Sequence, residues 1–223
     1  MNRMFVSNFK RIKLKRTTIF SLVLLLTSFV VVFLNSDRIR SYTTSLTSEG
    51  VIVYSTDSPS EKAPSKNFNW KGKANDPKSI KIDSVGIEGF LQKVGVDQNQ
   101  QIAVPNNVYF AGWFVDTVRP GENGLSIIDG HLNGTSKGGI FRNLENSKKD
   151  DQFEVKMGDD SVKKFVVKDV LTVNNDQAVN VLFSQDPAIK SQLNLITCGG
   201  TYDKAAHHYD QRIIVIAEYL GDT

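Results

Sequence analysis

Residues 152–173 read QFEVKMGDDSVKKFVVKDVLTV. Two runs rich in Val and Phe, Gln152–Met157 and Lys163–Val173, flank Gly158-Asp159-Asp160. Such a tripeptide reads as a hairpin turn in which glycine supplies a positive φ. The same grammar extends outward in both directions from Lys78. Short apolar runs bounded by turn residues recur at Ser79–Ile82, Gln101–Val104, Tyr109–Phe114, Leu125–Gly130, Gln192–Thr197 and Gln211–Tyr219. Short strands at even spacing are the mark of an all-β sandwich or barrel. Two stretches depart from the pattern. Gly86–Val94 spaces Ile87, Phe90, Leu91 and Val94 like a helix or turn, and Ala178–Phe183, with Pro187 behind it, reads as one short helical turn. The expected architecture over residues 78–223 is therefore an all-β, closed, eight-stranded barrel with short helical connections. A barrel of this size is filled by side chains, so a site belongs on a face or rim.

Upstream of the barrel the chain changes character. Residues 1–16 form a basic tail with Arg3, Lys10, Arg11, Lys13, Lys15 and Arg16, and no Asp or Glu occurs through residue 36. Thr17–Leu34 then runs eighteen residues without a charge. As a helix this run rises about 27 Å, close to the ~30 Å hydrocarbon core of a bilayer. It is expected to be a transmembrane anchor, with the basic tail cytoplasmic and the rest outside the membrane. A cleaved signal peptide is the rival reading. The run exceeds the ~7–15 residues of an h-region, and no Ala-x-Ala-like site follows at Leu34-Asn35-Ser36. Residues 35–77 are rich in Ser, Thr, Lys, Asn and Asp and broken by Pro59, Pro64 and Pro77, which suits a flexible stalk.

The chain has 223 residues, 40% apolar and 23% charged, room for one domain plus accessories. Its net charge of +3 is misleading. Six of the 27 basic residues sit in the N-terminal segment, leaving 21 against all 24 acidic ones in the remainder. The barrel region is slightly acidic and carries no nucleic-acid footprint.

One cysteine occurs, Cys198, so no internal disulfide forms. Outside the membrane a lone thiol is exposed to oxidation unless it is a buried small hydrophobe or has work to do. Its surroundings favour work. Cys198 ends the run Leu193-Asn194-Leu195-Ile196-Thr197 and precedes Gly199-Gly200, which places the thiol where a strand stops and a substrate backbone can approach. A thiol needs a base or a positive partner to act as a nucleophile. His131 follows Leu125-Ser126-Ile127-Ile128-Asp129-Gly130, again where an apolar strand meets a loop. His207 and His208 lie between the Cys198 strand and the last strand; as metal ligands with Asp210 they are too contiguous to close a tetrahedral site easily. Arg212 opens the final apolar run Ile213–Ala217. It either faces solvent or offers a fixed guanidinium to the oxyanion formed when a thiolate attacks an amide.

These residues resemble the sortase family. Leu195-Ile196-Thr197-Cys198 is similar to the TLxTC signature, Gly130-His131 to its histidine at a strand end, and Arg212 to its arginine, in the family's order. Val94–Asp97, Val104–Asn106, Ala111–Phe114, Arg119–Gly124 and Gly139–Leu144 resemble the class F branch in particular. Two departures stand out: Asn194 where the first signature Thr is usual, and Asp150-Asp151 where Gly-Asp often stands. The resemblance implies a cysteine transpeptidase that cleaves an LPxTG-like sorting motif of a surface protein. Cys198 would form the thioester and His131 would serve as general acid/base. Arg212, with the backbone near Thr197, would hold the oxyanion. The acceptor would be an amine from a cell-wall precursor or a pilin lysine of a Gram-positive envelope. No cofactor is implied, and no Asp-x-Asp-like loop marks a calcium site.

Three other readings compete with this one. An L,D-transpeptidase would carry its histidine shortly upstream of the cysteine, whereas His131 lies 67 residues away and Gly199 follows Cys198. A membrane-anchored hydrolase of the same motif would use the same triad. A non-enzymatic surface barrel, with Cys198 as core, would shield the thiol from alkylation.

Overall fold

The computed structural model describes residues 50–223 apart from 57 and 66. The basic tail, the anchor at 17–34 and the first part of the stalk lie outside the described residues, and among the described residues no helix is long and apolar enough to cross a membrane.

Nine strands and one helix make up residues 50–223: β1 (Val51–Ile52), β2 (Pro77–Ile82), β3 (Ile87–Val94), β4 (Ala111–Phe114), β5 (Gly124–Gly130), β6 (Gln152–Met157), β7 (Val162–Asn174), α1 (Asn175–Leu182), β8 (Ser191–Asp203) and β9 (His208–Asp222). The sheet runs β3-β2-β6-β7-β9-β8-β5-β4, and a parallel pairing of β4 with β3 closes it into an eight-stranded barrel. β1 is extra; it adds in parallel to Lys93 and Val94, beyond the point where β2 ends on β3.

Alternation along the β6–β7 hairpin sends Phe153, Val155, Met157, Phe165 and Val167 inward. There they meet Leu193, Leu195, Ile213, Val215 and Ala217 from β8 and β9. Phe153 and Phe165 stack with ring centroids 5.3 Å apart. Each such side chain contributes roughly 1.5–3 kcal/mol through burial. A second cluster lies on the outer face, where Val94, Phe114, Ile127 and Ile214 are covered by Ile52, Ala103 and Leu182 of α1. Because both faces of β5 are covered, the adjacent Ile127 and Ile128 are each fully buried, and the strand lacks a simple apolar–polar alternation.

Three sequence expectations are corrected. Gly86–Val94 is a strand, not a helix or turn: Ile87 and Leu91 face the interior while Val94 joins the outer cluster, and burial on both faces imitates a helical spacing. Gln101–Val104 is not a strand; it forms only an isolated bridge from Ile102 to Val96 and supplies Ala103 to the outer cluster. In the hairpin the positive φ falls on Asp160 (66°), not on Gly158. The helical turn expected at 178–183 is present as α1.

Both departures from the family pattern have structural employment. Asn194, fully buried, donates from Nδ2 to the Leu182 carbonyl (2.8 Å) and accepts from Gln192 Nε2 (2.8 Å), which ties the end of α1 to β8. Asp150 adopts φ 71°, the left-handed conformation that favours glycine.

Residues 50–76 also differ from the expected free stalk. Phe68 packs between Phe90 and Phe110 at centroid distances of 4.9 and 5.1 Å, and Trp70 Nε1 donates to the Leu91 carbonyl at 3.0 Å. Buried Asp76 pairs with Lys93 (3.6 Å) and Arg119 (3.4 Å). Composition signalled a polar segment, but a few aromatic anchors suffice to hold it on the barrel.

Phe141 is fully buried in the interior cluster. Phe141→Ala is expected to lower stability by about 3–5 kcal/mol, read as a reduced urea midpoint.

Candidate active site

The site is set by strand register. β5 and β8 run parallel with Asp129 beside Ile196. One step on, the Thr197 hydroxyl donates to the Gly130 carbonyl at 2.8 Å. The next step brings His131 level with Cys198. On the other side of β8, Cys198 is directly paired with Arg212 of β9, about 5 Å apart between Cα atoms. His131, just past the end of β5, Cys198 on β8 and Arg212 on β9 thus stand abreast, on the face opposite the barrel interior.

The thiol is half-buried. Burial pushes its pKa up, the Arg212 charge pulls it down, and the Asp129 carboxylate pushes it up again. His131 donates from Nε2 to the Pro105 carbonyl at 2.7 Å, which fixes the tautomer with Nδ1 as the free base. Burial lowers the His131 pKa, and the Pro105 bond opposes this in part. Burial of both groups thus favours the neutral thiol and the neutral imidazole over the ion pair. Arg212 is oriented by two bonds from Nη1, to the carbonyls of Tyr209 (3.2 Å) and Gln211 (2.8 Å).

The strand carrying the thiol does not stop at Cys198. β8 continues to Asp203 across a bulge between Gly199 and Tyr202, with Gly200 at φ 75°. Such a bulge kinks the strand and re-aims neighbouring side chains. The Thr197 side chain is buried and pins Gly130, which leaves its backbone as the part next to the thiol. His207 sits exposed in the β8–β9 turn and His208 exposed at the first position of β9, and Asp210 is committed to the Thr201 amide (2.7 Å). Among the described residues no cluster of His, Cys, Asp or Glu converges on a metal position.

Three contributors were not singled out from sequence. Pro105 orients the imidazole through a backbone atom, which leaves no side-chain signal. Glu61 accepts from the Ser136 amide (2.7 Å) and hydroxyl (2.5 Å), clamping the loop after His131. These bonds, the hydroxyl's foremost, hold the Glu61 carboxyl below the usual carboxylate range. Neighbouring Ser60 bridges in parallel to Asn107, beside the Pro105 segment. Asp129 is the third, and its signal was legible: a carboxyl inside an otherwise apolar strand.

A model of the sortase domain family matches residues 80–220. The chain belongs to the sortase family. Among solved structures, a lid mutant of sortase A from Corynebacterium diphtheriae is similar in fold at TM-score 0.50 and 21% identity, over 68% of this chain and 73% of that one. A sortase D5 transpeptidase from Clostridium perfringens matches at TM-score 0.48 and 24% identity, over 66% and 79%. Sortase C-1 from Actinomyces oris matches at 0.48 and 24%, over 66% and 75%. No curated protein matches the chain. Membership in this sortase family implies a cysteine transpeptidase.

Gly139 lies against the histidine: a Cβ there would fall 2.1 Å from the His131 carbonyl oxygen. Gly139→Ala is expected to displace His131 and cut kcat/KM at least tenfold while far-UV circular dichroism stays unchanged.

Proposed function

We propose that this chain is a membrane-tethered sortase, closest to class F, that cleaves an LPxTG-like motif and passes the acyl group to an amine. The observation that carries the reading is the alignment of His131, Cys198 and Arg212 across β5, β8 and β9. Cys198 Sγ attacks the carbonyl carbon of the motif's threonine, in the amide bond that joins it to the next residue. Arg212, with backbone amides near Thr197, stabilises the oxyanion. The imidazolium of His131 gives its proton to the leaving amine as the C–N bond breaks and the thioester forms. Neutral His131 then takes a proton from the incoming amine, which attacks the thioester and releases the Cys198 thiolate; the imidazolium can return its proton to the sulfur. The basic tail and the apolar run at 17–34 anchor the enzyme with its barrel outside the membrane, facing surface-protein substrates and a cell-wall or pilin acceptor.

The reactive form is thiolate with imidazolium. Unperturbed groups near pH 8.5 and 6.5 would place about one pair in a hundred in that form. Burial of both groups moves the balance further toward the neutral pair.

Incubation with an LPxTG-type peptide and an amine, followed by mass spectrometry, should reveal a thioester on Cys198 and transfer to the amine. Neither product across a panel of sorting motifs would sink the proposal. Cys198→Ala should abolish turnover, and His131→Ala or Arg212→Ala should lower kcat/KM by about 10³-fold or more with the fold retained. The acid limb of kcat/KM should lie below the ordinary imidazole pKa, because burial resists the imidazolium; a pH–rate profile checks this.

A further inference from the structure

Asp129 has no part in the chemistry above, yet the fold places it on the thiol's face. On β5 it stands opposite Gly112 of β4 and beside Ile196 of β8. Strand alternation puts Asp129 and His131 on one side of β5, and Ile196 and Cys198 on the same side of β8. Strand spacing makes the Asp129–Cys198 diagonal about 8 Å between Cα atoms. The side chain is only 7% exposed, and Oδ1 is enclosed without a hydrogen-bond partner. Gly112 leaves the room it occupies: a Cβ there would fall 2.3 Å from Oδ1.

We propose that Asp129 is a positioning residue coupled to the nucleophile: its buried carboxyl and the Cys198 thiol titrate as a pair, and ionisation of the carboxyl opposes formation of the thiolate. The groups around it are few. β4 offers Gly112 and β3 offers Val94, both uncharged. β8 offers the Cys198 thiol, the segment after β5 offers His131, and Arg212 lies one strand further on β9. Among the described residues no cation is paired with the carboxyl, and burial raises its pKa well above the usual range. Its effect on the thiol is opposite in sign to that of Arg212. Two negative charges about 8 Å apart, at an effective dielectric near 20, oppose each other by roughly 30-fold in equilibrium constant. The two acids therefore titrate as a pair, and whichever ionises first holds back the other. The orphaned oxygen acquires a reason under this reading: a hydrogen-bond donor beside it would stabilise the anion and shut the thiolate out.

The functional meaning rests on Cys198 as nucleophile, but the coupling can be read without turnover. Alkylation of Cys198 in the full chain by iodoacetamide, followed by mass spectrometry from pH 6 to 10, compares the wild type with Asp129→Asn. The expected result is a profile shifted to lower pH, with alkylation about tenfold faster near pH 8. Superimposable profiles, or a shift to higher pH, would overturn the coupling even if peptide transfer succeeds. Should the variant fail to fold, carbon-13 titration of aspartate carboxyls in the wild type decides: one carboxyl still protonated at pH 6.5 is expected, and none so protonated overturns the proposal.

Discussion

The parallel ladder of β5 on β8, locked where the Thr197 hydroxyl meets the Gly130 carbonyl, is the constraint on which the site depends. Side chains alternate along a strand, so a slip of one residue would turn His131 or Cys198 to the opposite face. Burial makes such a slip costly. Ile127, Ile128, Leu193 and Leu195 are all fully enclosed, and a shifted register would send polar side chains into their places. The antiparallel pairing of Cys198 with Arg212 completes the row under the same constraint.

The loops around this row are secured from outside the barrel proper. Glu61 and Ser60 hold the segments after His131 and around Pro105, while Asn194 and Gln192 fasten α1 and the chain that follows it to β8. Side-chain bonds to backbone predominate here. They suit irregular segments, whose backbone groups lack ladder partners and must be satisfied locally. The segment at 58–62 thereby belongs to the support of the site, although its composition is that of a linker.

Electrostatically the site opposes its own proposed nucleophile. Burial disfavours both the thiolate and the imidazolium, while the Arg212 charge favours the thiolate. Such a balance keeps a lone thiol protonated and slow to oxidise at rest, since oxidation proceeds through the thiolate. Under the proposed function, substrate binding and the charged transition state draw on the Arg212 guanidinium, whose donors are already oriented.

Sequence by itself determined the β-rich class, the hairpin at 152–173 and the three residues brought abreast, because strand patterning and the residue types needed for thiol chemistry are local properties. Asp129, a charge within a largely apolar strand, was legible there too but drew no reading until the fold placed it on the thiol's face. Sequence misassigned Gly86–Val94, because burial on two faces erases the period-two signal that marks a strand with one solvated side. The closure of β4 on β3, the role of Thr197 as a register pin, and the clamps from Glu61 and Pro105 were decided only by tertiary structure. Each depends on a contact between segments distant in sequence, and backbone carbonyls and register leave no trace in residue identity.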